Sequence, residues 1–185
     1  YMFEDCANLT TVEFAENSSV ESIGYYAFTR CKKLTTIKNL PNTLKGIGDY
    51  AFQETNLTSI SIPGSVLNIG EGAFSCCSNL TEIIVDENNQ NFSSYDGVLY
   101  NKDKTVLICC PAGKTSVTIL DTVTGLQDYN SFRSCYNLTD ITIESVYVYN
   151  TATSTSKCYE LLKYATTVKV LKSIVDDESN TNSYL

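Results

Sequence analysis

The chain has 185 residues, with 13 basic against 21 acidic side chains and a formal net charge of -8, so its mean field repels nucleic-acid phosphate and anionic lipid. Hydrophobic residues make up 43% of it, yet none of their runs reaches the roughly 20 residues that a membrane-spanning helix needs. There is no histidine, which excludes any triad built on that base and removes the commonest transition-metal ligand.

A signature recurs from the first residues onward: a small or apolar residue, Phe, two variable residues, Cys, two variable residues, Leu-Thr. It reads Met2-Phe3…Cys6…Leu9-Thr10, then Ala27-Phe28…Cys31…Leu34-Thr35. It returns as Ala73-Phe74…Cys77…Leu80-Thr81 and Ser131-Phe132…Cys135…Leu138-Thr139. Ala51-Phe52…Leu57-Thr58 is a shortened copy in which Thr55 stands for the thiol. Self-similarity of this kind marks a solenoid, whose units bury their apolar faces only against their neighbours. Tyr1-Met2-Phe3 begins inside one unit, which reads as a fragment of a longer protein, and no basic-then-apolar start reads as a signal peptide.

After each Leu-Thr the residues alternate, and alternate side chains of a strand face opposite ways. The inward sets are Leu9/Val12/Phe14, Leu34/Ile37, Leu57/Ile60/Ile62, Leu80/Ile83/Val85 and Leu138/Ile141/Ile143. Ahead of the Phe come Ile23-Gly24, Ile47-Gly48 and Ile69-Gly70, where glycine allows a backbone turn. The Gly-x-x-Ala-Phe stretch is expected to make a short turn or one helical turn, because it is too short and too polar to propagate a helix.

Between Phe74 and Phe132 the pattern is interrupted. The stretch from Asp96 to Pro111 reads as two β-rich runs joined by a polar four-residue turn, hence an inserted β-hairpin. Val117-Thr118-Ile119 is a return to the main sheet. Beyond Ser145 the pattern degrades, with a short helix expected over Cys158–Tyr164 and a last strand at Val168–Val170. The organisation expected is one domain over 1–172 with about five to six repeats, an insertion around 86–119, a degenerate capping repeat around 145–172 and a flexible tail at 173–185.

Cys6, Cys31, Cys77 and Cys135 fill one slot of the repeat, as buried free thiols, with a bridge between neighbouring coils left open as the alternative. Cys76, Cys109, Cys110 and Cys158 lie outside the slot and are the better candidates for oxidation. Asp86-Glu87-Asn88-Asn89 lacks the alternating spacing of a calcium loop and reads as a solvated edge of the insertion. Neither Gly46-Ile47-Gly48 nor Gly70-Glu71-Gly72 carries the rest of a nucleotide-binding fingerprint. No catalytic residue, metal site or cofactor is expected.

The outward row of the strands is the candidate protein-binding face: Thr11/Glu13, Thr36/Lys38, Ser59/Ser61, Glu82/Ile84 and Asp140/Thr142, with Thr118 and Lys169 continuing it. Solenoid sheets present such rows as extended binding surfaces, though exposed Thr also suits a bare solvated strand. Phe92, Tyr95 and Tyr100 of the insertion are candidate aromatic anchors, or else they fasten the hairpin to the solenoid. Six Asn-x-Ser/Thr sequons begin at Asn8, Asn17, Asn56, Asn79, Asn91 and Asn137. Four of them are the repeat's own Asn-Leu-Thr, which leaves Asn17 and Asn91 as preferred glycan acceptors in a eukaryotic secretory setting.

Taken together, Ile-Gly-x-x-Ala-Phe-x-x-Cys-x-x-Leu-Thr-x-Ile-x-Ile-Pro-x-Ser-Val resembles the BspA-like, treponemal-type leucine-rich repeat. Ile47 through Val66 follows it apart from the shortened stretch at Thr55, and Asp96–Asp103 with Pro111–Lys114 is similar to a hairpin insertion common in that family. The resemblance implies a leucine-rich-repeat solenoid, formally α/β but mostly β: a curved parallel sheet with short turns outside and an inserted β-hairpin. It also implies a non-enzymatic cell-surface or secreted protein that attaches to host cells or to matrix proteins such as fibronectin. The alternative is a structural spacer without a ligand of its own.

Overall fold

A computed structural model describes residues 1–145 and 162–170. The start of the short helix expected from Cys158, much of the capping repeat and the tail at 173–185 lie outside the described residues. In chain order the strands are β1 (Thr11–Glu13), β2 (Ser22–Ile23), β3 (Thr36–Lys38), β4 (Gly46–Ile47), β5 (Ser59–Ile62), β6 (Asn68–Ile69) and β7 (Glu82–Val85). They continue as β8 (Phe92–Tyr95), β9 (Val98–Asn101), β10 (Val106–Cys109), β11 (Ser116–Ile119), β12 (Gly125–Leu126), β13 (Asp140–Ile143) and β14 (Thr167–Val170).

The Leu-Thr runs become the front strands of a parallel stack. β1 pairs with β3, β5 with β7, and β11 with β13 and then β14, all parallel. The front ladder is broken between β3 and β5, next to the shortened copy at Thr55. A second parallel sheet, β2-β4-β6, stands in register on another side of the coils. It is formed by the Ile-Gly segments that the sequence reading took for turns alone. Two of their glycines are needed for close approach: a Cβ on Gly48 would sit 2.7 Å from the Tyr25 nitrogen, and one on Gly70 would sit 2.4 Å from the Asp49 nitrogen.

The outer side is built of turns, with no helical turn in the Gly-x-x-Ala-Phe segments. Three of these turns place two residues in the left-handed region, Tyr26 and Arg30, Tyr50 and Glu54, and Gly72 and Cys76. This conformation aims alternate backbone N–H groups along the stack. Tyr26, Phe28 and Arg30 donate to the carbonyls of Asp49, Ala51 and Gln53, and Tyr50, Phe52 and Glu54 donate to those of Glu71, Ala73 and Ser75. The intercoil ladder satisfies polar groups that a buried turn would otherwise strand, and it offsets the roughly 1 kcal/mol that each left-handed non-glycine residue costs.

Within the coils Phe3, Phe28, Phe52 and Phe74 stack with centroids 5.2, 5.4 and 5.8 Å apart and nearly parallel rings. The thiol slot is structural. Cys31 and Cys77 donate to the carbonyls of Phe3 and Phe52, and Cys135 to that of Cys110. Burial pushes the Cys77 thiol up to about 11 and holds Cys109 well above its ordinary range. Cys109 and Cys110 are buried free thiols, so the expectation that they are ready targets for oxidation is corrected, whereas Cys76 is free and partly exposed.

The insertion is more than a single hairpin. β8, β9 and β10 form an antiparallel meander, and β10 then pairs parallel with β12. Asp96 and Gly97, both at positive φ, make the tight β8–β9 turn that an Asp-Gly pair favours. The meander divides the core. Phe92, Leu99, Ile108 and Cys109 belong to the N-terminal apolar cluster, while Val98, Tyr100, Leu107 and Cys110 belong to the C-terminal one. A strand pair buried on both faces explains why Val98-Leu99-Tyr100 and Leu107–Cys110 are continuously apolar.

Asn89 stands where the chain leaves the regular stack. The equivalent slots hold Leu44, Val66 and Val123, each closing the same short turn. Asn89 is fully buried. Its Nδ2 donates to the carbonyls of Pro63 and Val66, and its Oδ1 accepts from the backbone N–H of Asn91 and Phe92. The side chain thereby ties the last regular coil to the first residues of the insertion.

Candidate interaction surface

The outward row lies where the alternation puts it. Thr11 and Glu13 are in register with Thr36 and Lys38, and Ser59 and Ser61 with Glu82 and Ile84. Farther along, Ser116 and Thr118 meet Asp140 and Thr142, which meet Thr167 and Lys169. Thr11, Glu13, Lys38, Ser59, Ser61, Glu82, Ile84, Asp140 and Lys169 are exposed, while Thr36, Thr118 and Thr142 are half-buried. Ile84, 43% exposed, is the large apolar residue that solvent reaches in the outward row of β1, β3, β5 and β7.

The row is interrupted beyond β7. There the Asp96-Gly97 turn takes the place of a front strand, and the Ile83 N–H donates to the Gly97 carbonyl at 2.9 Å. A Cβ on Gly97 would lie 3.1 Å from the Thr81 carbonyl oxygen and 3.2 Å from the Glu82 Cα. Lys114 clamps the turn: its Nζ donates to the Asp96 carbonyl at 2.7 Å and pairs with the Asp96 carboxylate at 3.1 Å. The result is an open depression of about 410 Å³ lined by Thr81, Glu82, Ile83, Ile84, Ser94, Asp96, Gly97 and Lys114.

Of the two roles open to the insertion's aromatics, Phe92 and Tyr100 take the second, fastening the insertion to the solenoid, and are not exposed anchors. Phe92 is buried and Tyr100 fully so, because they fill opposite halves of the core. Only Tyr95, 49% exposed, is open to solvent. Tyr100 Oη has no hydrogen-bond partner among the described residues, and burial raises its pKa. Asn89, expected on a solvated edge of the insertion, is fully buried, and the clamping role of Lys114 is not foreseen by its place in Pro111–Lys114. The Asp-Gly turn signal, which implies a strand on each side, could have led to the region that holds them.

Asn17 and Asn91 are both exposed. Asp86 Oδ1 accepts from Asn88 within its own turn, and no group of three or more metal-ligating side chains occurs among the described residues. No helix among them is long and apolar enough to cross a membrane.

On the far side of the coils, polar contacts bridge the interruption. Tyr50 Oη donates to Glu71 Oε1 at 3.0 Å and lies 3.3 Å from Tyr129 Oη, and Asn130 Nδ2 also donates to Glu71. The hydrogen bond with Tyr129, then desolvation and the Glu71 carboxylate, hold the Tyr50 phenol well above its usual range.

Six copies of the BspA type leucine rich repeat region match this chain, over residues 1–105 and 107–179. The chain belongs to the BspA-type leucine-rich repeat family. Solved structures with the same fold include the pneumococcal vaccine antigen PcpA, 31% identical over 73% of this chain and 34% of that one, with a TM-score of 0.64. A leucine-rich cell surface protein from Faecalibacterium prausnitzii is 31% identical over 78% of this chain and 38% of its own, at a TM-score of 0.66. A leucine-rich repeat protein from Eubacterium ventriosum is 29% identical over 76% and 45%, at 0.56. This BspA-type chain thus spans between about a third and under half the length of those structures. No curated protein matches it.

Proposed function

We propose that this BspA-type array is an adhesin-like protein-recognition module, displayed at the cell surface or secreted, which attaches to host cells or to matrix proteins such as fibronectin. It acts as one non-enzymatic domain over residues 1–172. The observation that carries this reading is the in-register row of exposed side chains on the front strands. Such a rigid extended face lets a partner bind without the ordering cost of a flexible loop. The family match and the cell-surface description of the Faecalibacterium protein support it.

One observation favours a spacer instead. Burial of Phe92 and Tyr100 withdraws two large anchors from the surface and leaves a row rich in short hydroxyls. Binding of the intact monomeric chain to immobilised fibronectin and to epithelial cells separates the two readings, with a Thr36→Asp/Ser59→Asp/Ser61→Asp variant of verified fold alongside. Saturable binding lost in the variant supports recognition through the front sheet. Absence of binding by the intact chain to either target supports the spacer.

A further inference from the structure

We propose that the depression between β7 and the Asp96-Gly97 turn is a receptor for an arginine side chain on an extended segment of a partner protein. The inference rests on the protein-recognition reading and names the chemistry of its contact point. The site lies where the front row is interrupted, so a segment laid along Ser59/Ser61 and Glu82/Ile84 meets it next.

Its charges are unevenly committed. Lys114 is spent on the turn, with its side chain only 13% exposed and its Nζ on the Asp96 carbonyl and carboxylate. The Asp96 side chain remains 62% exposed, and a carboxylate accepts more hydrogen bonds than one ammonium contact uses. Glu82 is exposed and has no ion pair among the described residues. Glu82 also lies against the turn, its Cγ 3.4 Å from where a Gly97 Cβ would be. Exposed Ile84 stands two residues along the same strand from Glu82, in register with Ser61.

Two carboxylates beside one apolar side chain suit a residue with an alkyl stem and a cationic head. The stem covers Ile84, and the planar guanidinium donates to Glu82 and Asp96 at once, which a lysine ammonium does less well. The chain's net charge of -8 favours approach of a basic partner. The Lys114 clamp means that the Asp96 carboxylate is already placed when it arrives.

The test is a titration of the isotopically labelled full chain with the capped tripeptide Ser-Arg-Ser, followed by backbone amide shifts, with Ser-Glu-Ser and Ser-Leu-Ser as controls. The expected result is a saturable response at Thr81–Ile84 and Ser94–Gly97 with a Kd on the order of 1 mM, as befits one side chain. Glu82→Gln should weaken it about tenfold, the equivalent of roughly 1.4 kcal/mol, while leaving the spectrum of the free chain otherwise unchanged. Asp96→Asn, which also loosens the Lys114 clamp, should weaken it at least as much. A response spread over the acidic surface, one unaffected by Glu82→Gln, or an equal response to Ser-Leu-Ser would overturn the proposal. Fibronectin or cell binding that is lost in the Thr36/Ser59/Ser61 variant, together with no Ser-Arg-Ser response, would remove the arginine receptor and keep protein recognition.

Discussion

The coils before Asn89 and the meander after it solve the same packing problem in opposite ways. Before it, every coil presents the same residue types to its neighbours, so that four phenylalanines stack and the turns are laced by backbone hydrogen bonds. After it, β9 and β10 enter the stack with both faces apolar, and the core splits into two clusters. Repetition gives stability through identical contacts, each worth little alone. The wedge depends on a few large residues placed once.

The largest expected effect tests that division. Phe52→Ala and Tyr100→Ala each remove a fully buried ring and should cost about 3–5 kcal/mol in urea unfolding. Hydrogen exchange should separate them, with Phe52→Ala loosening the coils around Phe28 and Phe74 and Tyr100→Ala loosening Val117–Ile143. Equal loss of protection along the whole chain in both variants would erase the distinction. Next comes Asn89→Leu, which keeps the slot filled but removes the side-chain partners of the Val66 carbonyl and of two N–H groups, and one of the two donors to the Pro63 carbonyl. About 2–4 kcal/mol should be lost in the same assay, and an unchanged midpoint would make Asn89 incidental to the junction.

Alkaline pH should weaken the stack through its buried thiols. Cys77 titrates near 11 in the fold against an ordinary value of 9.0, mainly because burial disfavours the thiolate. A raised pKa on an acid that is neutral in the folded state stabilises below pH 9, and that contribution is lost as pH climbs towards 11. The loss should reach roughly 3 kcal/mol, at 1.36 kcal/mol per unit, and is measured by urea unfolding across that window with Cys77→Ala as the control. Tyr100→Phe should move stability by under about 1 kcal/mol, and upward if at all, because the deleted hydroxyl is buried without a partner. The smallest effect belongs to Arg30→Ala. It breaks ion pairs to Glu4 and Asp5 at 2.7 Å, but these are at the surface, at most half-buried, and screened by salt, so its unfolding curve should overlay the parent's at 0.15 M salt or above.

What could be read beforehand follows the same boundary. Leu, Ile and Val spaced two apart give the front strands and their outward row, because one face is buried and the other is wet. β2, β4 and β6 are two residues long, too short for any period to show. β8 carries Ser93 and Ser94 between its aromatics and lacks the apolar run expected of a strand. Alternation identifies an outward side only when one exists, and β9 and β10 have none, so the sequence leaves the burial of Phe92 and Tyr100 open. The depression joins residues from β7, the Asp96-Gly97 turn and the segment at Lys114, a proximity that depends on how the meander docks.

Arrays of this kind lengthen when a unit is copied in tandem, and the position of Asn89 sets where such copying is silent. A duplicate of residues 48–69 adds one coil whose apolar slots match those on either side, so genetic drift in coil number is free upstream. A duplicate that spans Asn89 brings a second buried amide and a second pair of double-faced strands, which must find two cores to divide where only one remains. Copy number can therefore vary among the coils before this residue, while the meander that follows it is inherited as a block.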